Sequence, residues 1–258
     1  MKKSNKKYVL LLFILIIFFI VMFFIYGINK KKTVGSFVVN KNEMFSFSEG
    51  TWKVIRNADD LKKFNWEKFN VYADNELLGK KMLWYDDNDG WYLFDSNRNS
   101  YNYTGNLFAY NTTYDFQYLN IVSSDIDTLS YAKTLMKKNN VNVNTSYTNA
   151  NLYEVDFDND GVQEKFYTIT NAFDIDNNPS KYFSFVFMVK NEKIYVLYNA
   201  VAKFSTYDGC IPYINAIGDF DNDKNREILI GCNKYSIQTP ITMLYKYDKR
   251  EFKLILSN

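Results

Sequence analysis

Two aspartate-rich stretches decide the fold, DFDNDGVQE at residues 156–164 and DFDNDKNRE at residues 219–227. Each carries acidic residues at its first, third, fifth and ninth positions, and apolar runs typical of β-strands flank it. In a tight loop these carboxylates converge on one point, where a hard cation such as Ca²⁺ relieves their repulsion. The spacing therefore predicts two calcium-binding loops, each joining two strands.

The ligands of the two predicted sites follow from the same spacing. Side-chain carboxylates occupy positions one, three, five and nine, and a backbone carbonyl occupies position seven. The predicted metal ligands are Asp156, Asp158, Asp160, Val162 and Glu164 in the first loop and Asp219, Asp221, Asp223, Asn225 and Glu227 in the second. An EF-hand is excluded because its twelfth position requires a bidentate Glu, and Tyr167 stands there.

The two loops differ at their sixth position. Gly161 suits the open, left-handed backbone expected there, whereas Lys224 costs on the order of 1 kcal/mol in that conformation and adds a positive charge. We therefore expect weaker calcium binding at the second loop. Two alternatives stay open: solvated acidic turns without metal, and a second loop in which Lys224 replaces the cation by bridging the carboxylates.

The similarity of the two stretches extends beyond the loops. LYEVDFDNDGVQEKFYTIT matches INAIGDFDNDKNREILIGC, and FSFVFMVKNEKIYVLYN matches TMLYKYDKREFKLILSN. Each unit reads as strand, acidic loop, strand, variable connection and closing hairpin, which is the four-stranded pattern of a propeller blade. A weaker third match at residues 81–97 indicates the closing hairpin of another unit that lacks an acidic loop.

These loops resemble the calcium loops of FG-GAP/VCBS-type repeats, as in integrin-like β-propellers. The resemblance covers residues 152–258 and implies Ca²⁺ between the first two strands of each blade, in a binding or adhesion module. Complete propellers of that kind have about seven blades, more than this chain can supply at roughly 60 residues each. The units therefore form either an open stack capped by the N-terminal β region or a small four-bladed closure.

The rest of the chain predicts an all-β, mainly antiparallel protein, because aromatic and β-branched runs alternate with Asn/Asp turns. One inserted helix is expected over residues 126–138 and a helical turn over residues 57–64. The predicted organisation is a cytoplasmic tail (1–7), a transmembrane helix (8–28), a linker (29–43), an N-terminal β region (44–120), a helical connector (121–141) and the two repeats (142–258).

Residues 8–28 are uncharged and almost wholly apolar. At about 1.5 Å per residue, a helix over this range is about 30 Å long, enough to cross a bilayer once. Four lysines precede the segment and three follow it, which favours a cytoplasmic N-terminus and an extracytoplasmic position for the bulk of the chain. The alternative is a cleaved signal peptide, although its apolar region is ordinarily shorter.

Composition excludes several classes of function. The chain has no histidine, which removes Ser-His-Asp, Cys-His and zinc hydrolase arrangements, and no Gly-rich phosphate loop occurs, so no enzyme is predicted. The net charge of +2 comes largely from lysines beside the apolar segment, so nucleic acid is not indicated. Cys210 and Cys232 either form a disulfide around the second loop or remain two buried thiols.

The sequence leaves the ligand of the predicted module open between a protein and a glycan. The four tryptophans Trp52, Trp66, Trp84 and Trp91 either stack on sugar rings or fill the β core. The first alternative describes a cell-wall or glycan-associated protein, or a degenerate hydrolase. A third alternative is a structural subunit of a membrane assembly.

Overall fold

A computed structural model describes residues 15–18, 34–40, 43–73, 76–102, 107–111, 116–117, 121–123, 126–141, 149–171, 181–203, 210–234, 241–248 and 250–257. The chain divides into two compact units, Met1–Thr33 and Val34–Asn258. Within the first unit only Leu15–Phe18 are described, and they are helical. The rest of the predicted transmembrane segment 8–28 lies outside the described residues, and no helix among the described residues is long and apolar enough to cross a membrane.

The second unit is mainly antiparallel β-structure, as predicted. Its N-terminal strands are β1 (Val34–Asn40), β2 (Glu43–Ser48), β3 (Thr51–Ile55), β4 (Lys68–Ala73), β5 (Glu76–Asp86), β6 (Gly90–Phe94), β7 (Ser100–Asn102), β8 (Leu107–Tyr110), β9 (Phe116–Gln117) and β10 (Ile121–Ser123). The repeats contain β11 (Asn149–Val155), β12 (Glu164–Thr170), β13 (Lys181–Lys190), β14 (Lys193–Lys203), β15 (Cys210–Gly218), β16 (Glu227–Lys234), β17 (Ile241–Asp248) and β18 (Glu251–Ser257).

Two helices interrupt the strands, and both follow the sequence prediction. Helix α1 spans Ala58–Leu61 and continues as a 3₁₀ turn over Lys62–Phe64. Asn57 caps it, because its side-chain oxygen accepts a hydrogen bond from the backbone N–H of Asp59 at 2.9 Å. Helix α2 spans Ile126–Lys138, the range predicted from its apolar periodicity.

Strands β1 to β8 form one eight-stranded sheet in the order β3-β2-β1-β8-β4-β5-β6-β7. Strand β1 lies within residues 29–43, which the sequence assigned to a linker. The hairpin predicted at residues 81–97 forms as β5 and β6, and Asp86 pairs with Gly90 across its turn. Unlike the closing hairpins of the two repeats, it does not end its sheet, because β7 continues the sheet beyond β6.

Each predicted repeat forms a four-stranded antiparallel meander joined by one short extra strand. The first sheet has the order β10-β11-β12-β13-β14 and the second the order β18-β17-β16-β15-β9. The extra strands come from the segment before the repeats: β10 pairs with β11, and β9 pairs with β15. The order of strand, acidic loop, strand and closing hairpin is therefore confirmed, and β10 lies inside the segment predicted as a helical connector.

The hydrophobic core consists of layers between these sheets. Helix α2 packs through Ala132, Leu135 and Met136 on one face of the first repeat sheet. The other face of that sheet packs on the second repeat sheet, and the second repeat sheet packs on the eight-stranded sheet. Helix α1 covers the far face of the eight-stranded sheet. Because helices cover both outer faces, the described sheets form an open stack rather than a closed ring.

The two cysteines form a disulfide between β15 and β16, with 5.2 Å between the Cα atoms of Cys210 and Cys232. Both side chains are buried in the core between the two repeat sheets. The cysteines are therefore a disulfide and not two buried thiols. The bond closes a segment of chain that contains the second aspartate-rich loop.

Candidate metal centres

Both aspartate-rich loops connect the first two strands of a repeat and have the same backbone shape. The residue pairs Val155–Glu164 and Gly218–Glu227 close the two loops at their bases. The fourth and sixth positions are left-handed in both, with φ of 58° at Asn159 and 85° at Gly161, and 60° at Asn222 and 72° at Lys224. The predicted left-handed sixth position is confirmed, and Lys224 adopts it despite its side chain.

The first aspartate of each loop folds the backbone around itself. In the first loop, the carboxylate of Asp156 accepts hydrogen bonds from the N–H groups of Asp160 at 3.1 Å and Gly161 at 3.0 Å. In the second loop, Asp219 accepts equivalent bonds from Asp223 at 3.1 Å and Lys224 at 3.0 Å. These matched contacts show that the repeated spacing specifies one loop conformation.

The phenylalanine at the second position anchors each loop to the core. Phe157 and Phe220 are buried, and their backbone N–H groups donate to Glu164 and Glu227, each at 2.8 Å. The two glutamates are themselves almost inaccessible, at 2 % and 0 % exposed. The ninth position thus places a buried carboxylate beneath the loop, where water cannot neutralise its charge.

Three acidic side chains converge in each loop. Oxygen atoms of Asp156, Asp158 and Glu164 lie within 4.8 Å of one another, and so do oxygen atoms of Asp219, Asp221 and Glu227. This arrangement can hold a metal ion, and oxygen-only ligands suit a hard divalent cation.

A lysine from the neighbouring strand occupies each cluster. In the first loop, the ammonium group of Lys190 donates to Asp158, to Glu164 at 2.7 Å and to Asp160 at 3.3 Å. The ammonium group of Lys246 lies 2.7 Å from Asp221, 2.6 Å from Asp223 and 3.1 Å from Glu227 in the second loop.

These ammonium groups stand where the charge of a metal ion would be needed. In both loops a lysine other than Lys224 therefore supplies the positive charge. Lys224 is exposed, and its backbone N–H takes part in the turn.

Strand register brings both lysines to the loops. Glu227 pairs directly with Lys246 across β16 and β17. The pairing of β12 with β13 likewise sets Lys190 across from Glu164, one residue beyond the last pair. A side chain at this position on the third strand of the repeat is therefore next to the last acid of the loop.

Alignment of the two repeats did not identify the two lysines, because they lie at different distances from the turn of the closing hairpin. Lys190 belongs to the last residue pair before the turn of its hairpin, with Lys193. The corresponding last pair in the second repeat is Asp248 with Glu251, so Lys246 lies two residues earlier. The two lysines are equivalent only in the strand register, which places each across from the last acid of its loop. The sequence alone does not show this register.

The second cluster is the more buried of the two. The side chain of Asp221 is 7 % exposed, compared with 38 % for its counterpart Asp158. Burial, followed by the charge of Asp221, raises the pKa of Glu227 to about 8, although Lys246 opposes this. Burial likewise raises the pKa of Asp221. In the first loop, a hydrogen bond from the N–H of Val162 lowers the pKa of Asp160.

One oxygen of Glu227 has an unusual environment. Oε1 is buried and has no hydrogen-bond partner among the described residues. The ammonium group of Lys246 lies only 3.1 Å away, so the contact is an ion pair without hydrogen-bond directionality. An acceptor with a free lone pair therefore faces the cluster, and a metal ligand at this position needs that property.

Arg226 connects the two loops and was not identified from the sequence. Its side chain, only 5 % exposed, leaves the second loop and donates to the backbone carbonyl of Asp156. It also donates to the side-chain oxygen of Asn159 at 2.7 Å. The corresponding residue in the first loop is Gln163, so the connection runs in one direction only.

The predicted ligands therefore fall into three groups. Six lie in the two tight clusters, and Asp160 and Asp223 contact the same lysines from the rim. Val162 and Asn225 take part through backbone N–H groups, which donate to those rim aspartates at 2.8 Å and 2.9 Å. Their role as carbonyl ligands stays a prediction.

Comparison of the chain with protein-family models, with curated proteins and with solved structures finds no match.

Proposed function

We propose that this protein is a membrane-anchored, extracytoplasmic binding or adhesion module whose two β-repeats bind Ca²⁺ at their aspartate-rich loops. Asp156, Asp158, Asp160 and Glu164 would hold the first ion, and Asp219, Asp221, Asp223 and Glu227 the second. The ion would supply the positive charge that a buried glutamate and its neighbouring aspartates require. The proposal retains the resemblance of residues 152–258 to FG-GAP/VCBS-type repeats.

The observation that carries this proposal is the convergence of three acidic side chains in each loop, around a single lysine. Lys190 has three acidic partners, and so does Lys246, so each cluster contains more negative than positive charge. We propose that the lysines hold the loops together without metal and that Ca²⁺ displaces them when it binds. The competing proposal is that the lysines are permanent replacements and the loops bind no metal.

Two further features support an extracytoplasmic location. The Cys210–Cys232 disulfide is typical of oxidising compartments. Calcium sites that must displace a built-in lysine would be weak, and affinities of about 10⁻⁴ to 10⁻³ M are useful where calcium is millimolar. The apolar segment 8–28 would provide the single membrane span, with the N-terminus in the cytoplasm.

A binding role is favoured over an enzymatic one because the clustered acids are already engaged. The most buried acids contact a lysine or a backbone N–H, and the chain has no histidine to act as a general base. A structural subunit of a membrane assembly is the remaining alternative, and a stable membrane partner that co-purifies with the protein would favour it.

Thermal unfolding of the full chain in detergent tests the calcium proposal. We expect millimolar Ca²⁺ to raise the melting temperature more than Mg²⁺ does, because six to eight flexible oxygen ligands suit the larger ion. Asp158→Ala should remove part of this increase. Asp89→Ala changes an exposed acid in the β5–β6 turn and should leave it intact. An unchanged melting temperature in Ca²⁺ for wild type and Asp158→Ala alike would contradict the calcium proposal.

A further inference from the structure

Part of the eight-stranded sheet carries aromatic side chains that the layered core does not cover. Trp91 is buried at 3 % exposed, whereas Trp66 is 45 % exposed. Trp84 and Phe94 are half-buried and alternate with residues of the core around α1, so they lie on the opposite face of the sheet. Trp91 therefore belongs to the β core, and Trp66 does not.

The backbone at Trp66 forces its indole outward. Trp66 has φ of 68°, a left-handed conformation that is unfavourable for a bulky residue. Three hydrogen bonds to β5 hold it there: Trp66 N–H to the Leu83 carbonyl at 2.7 Å, Leu83 N–H to the Glu67 carbonyl at 3.1 Å, and Tyr85 N–H to the Asn65 side chain at 2.7 Å. The irregular pairing therefore redirects one side chain, as bulges at functional sites do.

The outward indole lies against three other side chains. Its ring centroid is 5.0 Å from that of Trp84 and 5.1 Å from that of Phe94, with tilted planes in both pairs. The guanidinium carbon of Arg98 lies 5.8 Å from the centroid of Trp66. We name these four residues, Trp66, Trp84, Phe94 and Arg98, the aromatic platform.

Arg98 reaches this position from a second left-handed residue. Its φ is 62°, and the turn that holds it is closed by hydrogen bonds from Arg98 N–H to the carbonyl of Asp95 and from Asn97 N–H to the carboxylate of Asp95. Two separate strained turns thus bring an aromatic ring and a cation to the same place. Strain of this kind, over-determined by its surroundings, is typical of ligand-binding positions.

The charges around the aromatic platform select an anionic ligand. Lys68 and Lys80 are exposed and lie on the same face of the sheet, beside the strands that carry the platform, and Glu67 is the exposed acid closest in sequence. Asp95, in the turn that holds Arg98, is a second acid, so with Arg98 three cations stand against two acids. An apolar protein surface would have to desolvate these charges, whereas an acidic ligand pairs with them. The low net charge of +2 disfavours nucleic acid.

We propose that the aromatic platform binds an acidic polysaccharide. A sugar ring would pack its C–H face on the exposed part of the Trp66 indole that Arg98 does not cover, and a carboxylate or sulfate of the sugar would pair with Arg98. The inference rests on the proposed role as an extracytoplasmic binding module, but it uses none of the calcium ligands.

Affinity electrophoresis of the full chain in detergent tests this proposal, with hyaluronate in the gel and neutral dextran as the comparison. Hyaluronate should retard the wild-type protein and dextran should not. Trp66→Ala and Arg98→Gln should each weaken the interaction about tenfold, the effect of losing one stacking or ionic contact. Arg250→Gln is the matched control, because Arg250 is an exposed arginine with φ of 77° in the β17–β18 turn, outside the platform.

Two comparisons make the outcome decisive. Trp66→Phe keeps an aromatic ring and should retain more affinity than Trp66→Ala, which separates stacking from a folding defect. Retardation should persist in a calcium chelator, so the polysaccharide proposal and the calcium proposal can fail separately. Equal retardation of wild type, Trp66→Ala and Arg98→Gln would overturn the inference, and so would the absence of any retardation by hyaluronate or binding of a peptide at the platform instead.

Discussion

Replacing Lys246 with methionine tests the proposed role of the lysines most directly. Methionine keeps much of the length of the side chain but provides neither charge nor donor. The change leaves Glu227, at 0 % exposed, and Asp221, at 7 % exposed, without the cation that lies 3.1 Å and 2.7 Å from them. Breaking a buried ion pair by removing one partner costs about 3–5 kcal/mol. Because Glu227 can take up a proton, we expect the lower end, about 3 kcal/mol.

The first loop should respond less to the equivalent change. Lys190→Met leaves one buried acid, Glu164, but Asp158 and Asp160 are 38 % and 47 % exposed, so water partly replaces the lysine. We expect a loss of about 1–2 kcal/mol, between the values for surface and buried pairs. Lys253→Met is the surface control, because Lys253 is 52 % exposed and bridges the exposed acids Asp248 and Glu251. It should cost at most about 0.5 kcal/mol.

The assay is thermal unfolding of the full chain with a chelator and with Ca²⁺. For a unit of this size, about 3 kcal/mol corresponds to a decrease of roughly 6–12 °C in melting temperature. Calcium at about one hundred times its dissociation constant restores about 2.7 kcal/mol. The recovery should be larger in Lys246→Met than in wild type, because calcium no longer competes with the lysine for the carboxylates.

Two results would refute this reasoning. If Lys246→Met is as stable as wild type in chelator, the ion pairs observed around Glu227 do not stabilise the loop. If the variant loses stability but calcium restores none of it, the lysine is the permanent cation of that loop, and the calcium proposal fails there.

Three further variants test the second loop, the connection between the loops and the core between the repeats. Lys224→Gly relieves the left-handed strain at φ of 72°, and after the entropy cost of glycine it should raise the free energy of unfolding by about 0.5 kcal/mol in denaturant titrations. Arg226→Gln removes the donor to Asn159, so amide hydrogen exchange in the first loop should accelerate while the core strands stay protected. Burial raises the pKa of the Tyr245 hydroxyl from 10.0 to about 12, so the folded state favours its neutral form. The stability that this gives is complete below pH 10 and is lost as pH rises towards 12. Because phenylalanine does not ionise, Tyr245→Phe should unfold less readily than wild type between pH 10 and 12.

The fold could be predicted where local patterns determine it. Helix α2 has the bounds that its periodicity indicates, and the internal repeat places two meanders at β11–β14 and β15–β18. Strands β9 and β10, of two and three residues, were missed because so few residues carry no periodic signal. Their positions are set by pairing with the edges of the repeat sheets, which is a tertiary effect.

In the candidate site, too, local features could be predicted from the sequence and tertiary contacts could not. The acidic spacing identified the residues that converge, because a nine-residue loop between paired strands is a local structure. Lys190, Lys246 and Arg226 come from outside the loop that they contact, so no spacing within the motif reveals them. A lysine on the third strand of each repeat is a usable signal only when the register of that strand is known.

If the loops bind calcium as proposed, the greater burial of the second loop would make it more dependent on its lysine and would make the first loop the better calcium sensor. The second repeat sheet lies between two other sheets, and two acids of its loop, Asp221 and Glu227, have little access to water and need a neighbouring cation. In the first loop Glu164 is buried as well, but Asp158 and Asp160 are more exposed, so an exchange of lysine for calcium would cost less there. Its glycine at the left-handed position adds to this difference, since no side chain opposes the turn. Because the Arg226 side chain joins the two loops, exchange of lysine for calcium in the first loop would alter the contacts of Arg226, which lies next to the buried Glu227 of the second loop.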